Sequence, residues 1–216
     1  MFSEKATKEI QQNGYVVFPS YYNVDQQTIL FSDSLARDRS YLPGKSYKTN
    51  NLNSLPTMLR DLIFTQDIEN VFRNISKTPE IKCQDVFITH ELEETEQKER
   101  NNWLHFDRLR SLKAMVYLSE VSDSCGPFSV VPGSHLKGRS LRQNFANQSD
   151  YEEKLNRIEL DYEHMYEEPT KILGSIGTLI LFDTDIFHKG GDVKQGSFRK
   201  IIRSHWYVDY SWRITS

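Results

Sequence analysis

The chain has 216 residues, 38% hydrophobic and 26% charged, enough for one sizeable core and ordinary for a globular protein. A net charge of −3 and a pI near 6.1 exclude recognition of nucleic acid by bulk electrostatics, and no apolar run approaches the length of a membrane span. The first residues lack the apolar stretch of a signal peptide, and two cysteines, Cys83 and Cys125, are too few for a disulfide framework; both features lead us to expect a cytoplasmic protein.

Residues 3–13 carry Ala6 and Ile10 at helical spacing, with Ser3 as cap and Gly14 as terminator, so a short helix is expected. Tyr15-Val16-Val17-Phe18 reads as a strand closed by Pro19. Asp25 opens a second helix bearing Ile29, Leu30 and Leu35. Residues 38–55 are polar and contain Pro43-Gly44, which predicts a loop. Pro56 suits the first turn of a longer helix reaching about Lys77, with Met58, Leu59, Leu62, Ile63, Val71, Phe72 and Ile75 as its apolar stripe.

From residue 80 the pattern becomes that of strands. These are expected over Ile81–Leu92, over Leu112–Leu118 as a half-buried strand, over Phe128–Val131, over Gly177–Phe182, and from Arg199 to Val208. Glu91 to Arg100 reads as a charged, solvated loop. Residues 149–166 read as an amphipathic helix, either a packed surface helix or a lid over a site, with Tyr151, Leu155, Ile158, Tyr162 and Met165 on one face. One domain (1–216) is the economical organisation, with a helical part to about 80 and strands to 216. Helices followed by a run of short strands predict a mainly β fold, an antiparallel barrel or double sheet backed by helices.

The segment Trp103-Leu104-His105-Phe106-Asp107 carries the chemistry. Side chains alternate along an extended chain, so His105 and Asp107 point the same way. An imidazole nitrogen and a carboxylate oxygen suit iron(II) or another first-row divalent metal. His188, after a strong strand and before Gly190-Gly191, is the best candidate for a third ligand, although a structural role for a histidine there is an alternative. Two imidazoles and one carboxylate would leave octahedral positions open for oxygen chemistry. Arg199 follows eleven residues later, and its guanidinium could clamp a carboxylate whose other end chelates the metal; an unengaged surface arginine is the alternative. If Arg199 faces inward, strand parity turns Ile201, Arg203, His205 and Tyr207 inward too, unless a bulge intervenes. Arg203 and His205 would then support the metal ligands or recognise an anionic or polar substrate. His90 could also reach the pocket, whereas His135 reads as structural.

His105-Phe106-Asp107, Lys113 to Leu118, Cys125-Gly126-Pro127-Phe128-Ser129-Val130-Val131-Pro132-Gly133-Ser134-His135, His188 and Arg199 together resemble the phytanoyl-CoA dioxygenase (PhyH-like) family of iron(II)- and 2-oxoglutarate-dependent oxygenases. The resemblance extends to Asn13-Gly14-Tyr15-Val16-Val17. It implies a double-stranded β-helix, a jelly-roll, cupin-like barrel. It implies iron bound by His105, Asp107 and His188, Arg199 on the distal carboxylate of 2-oxoglutarate, and Phe182 packed on that cosubstrate. Some relatives place a serine two residues after the distal histidine; Gly190 stands there, so a second polar partner must come from elsewhere, with Thr178, Lys113 and Tyr117 as candidates. Related halogenases have a small residue in place of the carboxylate, and Asp107 therefore favours hydroxylation or another oxygen-derived outcome over halogenation. The implied reaction consumes O2 and 2-oxoglutarate, releases succinate and CO2, and hydroxylates a small, polar molecule. The rival readings are a non-catalytic metal-binding barrel and a cupin-type isomerase or dioxygenase that does not use 2-oxoglutarate.

Overall fold

A computed structural model describes residues 2–38, 44–78, 80–93, 103–107, 109–146, 157–159 and 168–207. The first helix, α1 (Phe2–Asn13), buries Ala6 and Ile10. It begins at Phe2, so Ser3 lies inside its first turn rather than capping it. Gly14 closes it with φ +85° and an N–H to the Ile10 carbonyl at 2.8 Å. β1 (Tyr15–Phe18) follows, and then α2 (Gln26–Leu35), whose first turn is capped by Asp25 accepting from the Thr28 N–H at 2.8 Å.

The polar stretch after α2 departs from expectation. β2 (Arg37–Asp38) and β3 (Gly44–Thr49) form there at one end of a sheet, with β2 outermost, before a short 3-10 turn at Leu52–Ser54. Covered on its outer side by β2 only at Lys45 and Ser46 among the described residues, β3 buries little and has no hydrophobic pattern to betray it, and its backbone pairing with β4 (Lys82–Leu92) specifies it instead. The long helix expected over residues 56–77 is two helices, α3 (Thr57–Arg60) and α4 (Gln66–Ser76). Thr65 breaks the run by capping α4 through the Ile68 N–H. The break lets Phe64 stack on Trp206 at 5.2 Å, and Ser204 Oγ donates to the Ile63 carbonyl that a continuous helix would have used.

The remaining elements are β5 (His105–Asp107), β6 (Ser111–Tyr117), β7 (Ser129–Val130), α5 (His135–Ala146), β8 (Arg157–Glu159), β9 (Thr170–Lys171), β10 (Leu179–Asp183), β11 (His188–Lys189) and β12 (Phe198–Tyr207). They complete two antiparallel sheets, one ordered β1-β10-β6-β12-β4-β3-β2 and the other β8-β5-β11-β7-β9. β6 is buried along its whole length, not half-buried. Its even residues Leu112, Ala114 and Val116 join the core beneath the helices, whereas Met115 and Tyr117 join the core between the sheets. Helix α5 was not foreseen, since its Gly138 and scattered polar residues obscure the period. The helix expected over 149–166, with its lid role, lies outside the described residues, except that 157–159 form a strand paired with β5. Residues 94–100 of the expected charged loop are likewise outside them, while Glu91 and Leu92 belong to β4.

Candidate active site

The smaller sheet brings His105 on β5 directly opposite His188 on β11. Their rings lie 4.4 Å apart at 54°. Asp107, two residues along β5, turns Oδ1 to within 3.9 Å of His105 Nε2 and 3.6 Å of His188 Nε2. Among the described residues these three side chains form a group whose ligand atoms all lie within 4.8 Å of one another.

The donor set fits a divalent first-row metal. His105 Nδ1 donates to the Trp103 carbonyl at 2.7 Å, and His188 Nδ1 to the Ile186 carbonyl at 2.8 Å. A carbonyl only accepts, so each Nδ1 carries the proton and each Nε2 presents a lone pair to the shared space. Burial, then the neighbouring His105, holds His188 well below the usual histidine range and keeps it neutral. Asp107 is the opposite case: burial alone would raise its pKa, but Lys113, then His188 and His105, override it and hold the carboxylate ionised. Lys113 Nζ donates to Asp107 Oδ2 at 2.5 Å, which leaves Oδ1 for the metal side.

A second layer fixes Asp107 from behind. Its N–H donates to the Thr184 carbonyl at 3.0 Å, and its carbonyl accepts from Arg142 Nη2 at 2.6 Å. Arg142 also pairs with Asp185, which shares Arg110 and Arg139 with Asp183. Burial and then Asp183 push the Asp185 carboxyl up to about 6, while the arginines oppose them; Arg110 and its hydrogen bond hold Asp183 low.

The His105, Asp107 and His188 group opens into a cavity of about 430 Å³ whose wall is the larger sheet. Register arranges that wall in rows. One row runs Lys48, Phe87, Arg203, Met115 across β3, β4, β12 and β6. The next runs Asp85, His205, Lys113, Phe182 across β4, β12, β6 and β10. Arg199, Ile201, Arg203, His205 and Tyr207 all line the cavity, so β12 keeps its alternation; the register shift at His205/Trp206 does not turn them away. Phe182 lines it too, its ring 5.5 Å from His188 and 4.7 Å from Phe128.

Arg199 is buried, with Nε donating to Glu91 Oε2 at 2.8 Å and Nη1 to the Gly126 carbonyl. Its partner Glu91 sits opposite it on β4. Other expected residues lie elsewhere. His90 faces away from the cavity, toward α2, with Nδ1 3.3 Å from Asp33, because Phe87 and Glu91 of the same strand take the inward parity. Thr178 is buried beside Gly174 and accepts from the Ser20 N–H at 3.3 Å. The Tyr117 hydroxyl donates to the Ile172 carbonyl at 2.7 Å, beneath the cavity rather than in its lining. Of the three proposed second partners for a carboxylate only Lys113 lines the cavity, and it holds Asp107. His135 donates to the Gln11 carbonyl at 3.2 Å and ties α5 to α1. Cavity residues that sequence reasoning missed include Lys48, Asp85, Phe87 and Glu91. Parity along β4 would have found the last three once its pairing with β12 was known.

Residues 10–201 match the sequence pattern of the family described as phytanoyl-CoA dioxygenase (PhyH). No curated protein matches the chain by sequence. Solved structures share the fold at low identity. The epimerase SnoN in complex with Fe3+, alpha ketoglutarate and nogalamycin RO is 14% identical, with TM-score 0.67 over 95% of this chain and 83% of SnoN. HygX from Streptomyces hygroscopicus with nickel, 2-oxoglutarate and hygromycin B bound is 14% identical, with TM-score 0.63 over 94% and 86%. EctD from S. alaskensis with 2-oxoglutarate and 5-hydroxyectoine is 17% identical, with TM-score 0.64 over 94% and 75%. With its two antiparallel sheets in the jelly-roll arrangement and a family match over most of its length, the chain belongs to the phytanoyl-CoA dioxygenase (PhyH) family.

Proposed function

We propose that the chain is an iron(II)- and 2-oxoglutarate-dependent oxygenase that hydroxylates a small, polar molecule and releases succinate and CO2. The observation that carries this reading is the convergence of two Nε2 atoms and one carboxylate oxygen within 4.8 Å, at the wall of a cavity that also contains a buried arginine. When bound, iron with 2-oxoglutarate and O2 supplies the oxidising power for attack on a C–H bond.

The protein's own contributions are positional. His105 and His188 offer neutral Nε2 donors, each locked by a backbone carbonyl. Asp107 offers Oδ1, and Lys113 keeps Oδ2 occupied so that the carboxylate approaches through one oxygen. Arg199 would receive the distal carboxylate of the cosubstrate through the Nη hydrogens that remain, since Glu91 Oε2 already accepts from its Nε and Nη2 and the Gly126 carbonyl from its Nη1. Phe182, Phe128 and Met115 give the cavity an apolar side that limits water near the reacting carbon.

The structural relatives include a carbocyclase, SnoK, and an epimerase, SnoN, so the fold accommodates several oxidative outcomes. The test is succinate release from 2-oxoglutarate with iron(II) in air, with product mass spectrometry for a gain of one oxygen atom. Iron-dependent succinate that disappears in Asp107→Ala is expected. No iron-dependent succinate with any candidate substrate would favour a non-catalytic barrel.

A further inference from the structure

Arg199 meets the cavity with its guanidinium already engaged. It stands directly opposite Glu91 across the β12–β4 ladder, so backbone register brings the two side chains together. Both are largely buried, with side-chain exposures of 6% for Arg199 and 16% for Glu91, and water screens their attraction little. Glu91 Oε2 accepts from Nε at 2.8 Å and also from Nη2. That edge of a guanidinium presents two parallel N–H groups, the pattern that a carboxylate matches best.

The other side is held as well. Nη1 donates to the Gly126 carbonyl, which also accepts from the Gly191 N–H at 3.3 Å. Gly126 has φ +64°, and a Cβ on it would meet the Gly191 carbonyl oxygen at 2.4 Å, so the two backbones are pressed together and the Gly126 carbonyl has little room to move. A guanidinium carries five N–H hydrogens. Nε, Nη2 and Nη1 each give up one here, so three are engaged and two remain. Gripped from both sides, Arg199 cannot turn its bound edge toward a ligand without breaking these contacts.

We infer that Glu91 is an internal competitor for the cosubstrate: its carboxylate occupies the edge of Arg199 best suited to the distal carboxylate of 2-oxoglutarate and so weakens 2-oxoglutarate binding. This rests on the proposed function, which makes Arg199 the anchor of that carboxylate. A second carboxylate arriving at the same guanidinium meets a like charge in a poorly screened place and finds two hydrogens instead of five. Glu91 stands outside the His105, Asp107 and His188 group, so it acts on the far end of the cosubstrate and not on the end that would chelate a metal. An acid that chelates in the same way but lacks the distal carboxylate should be indifferent to it.

The test titrates the full chain, loaded with Ni(II), by calorimetry with 2-oxoglutarate and with 2-oxopentanoate, which has a methyl group in place of the distal carboxylate. Glu91→Gln keeps the length and an oxygen acceptor but removes the charge. It should tighten 2-oxoglutarate by about tenfold and change 2-oxopentanoate by less than about twofold. Glu91→Asp keeps the charge but withdraws it by one methylene, and should tighten 2-oxoglutarate by a few-fold, so the test survives if Glu91→Gln fails to fold. Unchanged or weaker 2-oxoglutarate binding in the variants overturns the inference, as does an equal gain for both acids. Arg199→Met separates the two readings. A large loss of 2-oxoglutarate binding there, with no gain at Glu91, overturns the inference alone; no loss there removes Arg199 as the anchor and the inference with it.

Discussion

Lys113→Met removes the cation that neutralises Asp107 while keeping the length and most of the volume of the side chain. Both partners are largely buried, with side-chain exposures of 8% for Lys113 and 16% for Asp107, and the Nζ–Oδ2 distance is 2.5 Å. Breaking a fully buried pair by deleting one partner costs about 3–5 kcal/mol; partial solvent access to Asp107 reduces this to about 2–3 kcal/mol. For a chain of this size each 1 kcal/mol moves Tm by roughly 2–4 °C, so the metal-free variant should melt about 4–12 °C lower. A divalent ion supplies positive charge at the same carboxylate. Ni(II) should therefore raise Tm more in Lys113→Met than in the wild type. The pH dependence has a definite sign. Asp107 titrates lower in the folded chain than in the unfolded one, so its contribution is present above the unfolded pKa near 4 and is lost as pH falls. The gap between variant and wild type should thus be widest near pH 7 and shrink below about pH 4. Scanning calorimetry at several pH values, with and without Ni(II), measures all three quantities. A metal-free Lys113→Met protein as stable as the wild type at pH 7 would refute the idea that this lysine holds the carboxylate.

Arg199→Met should raise the 2-oxoglutarate concentration needed for half-maximal succinate release by about tenfold or more, with little change in Ni(II) affinity, as read by steady-state kinetics and by calorimetry. Gly138→Ala should destabilise the protein by about 1–3 kcal/mol in urea unfolding, because a Cβ there would meet the Asp185 carbonyl oxygen at 1.9 Å and push α5 off the Asp183–Asp185 loop. The same shift would loosen the Arg142 contact to the Asp107 carbonyl, so Ni(II) should bind this variant more weakly as well.

Elements with a strong local signal were legible in the residues. Asp25 capped a helix, Gly14 ended one, and the apolar runs at 112–118, 177–182 and 199–208 became strands β6, β10 and β12. Elements specified by their neighbours were not. β3 exists because β4 offers it a backbone ladder, and α3 and α4 separate because Trp206 and Ser204, far along the chain, take up Phe64 and the Ile63 carbonyl. The charged stretch after Leu92 concealed the role of Glu91, since a lone carboxylate at a strand end looks like a solvated one until its partner is known.

The residues alone determined which groups share a side of a strand: His105 with Asp107, and Arg199 with Arg203 and His205. That alternation is a property of the extended backbone and needs no partner. Only the tertiary structure decided what each of those groups meets. Register between strands distant in sequence set Glu91 against Arg199 and Phe87 beside Arg203, and packing of the two sheets set Lys113 on Asp107. Pairing across a sheet depends on contacts made after the chain has folded back on itself, so a sequence read in order holds the candidate ligands but not their neighbours.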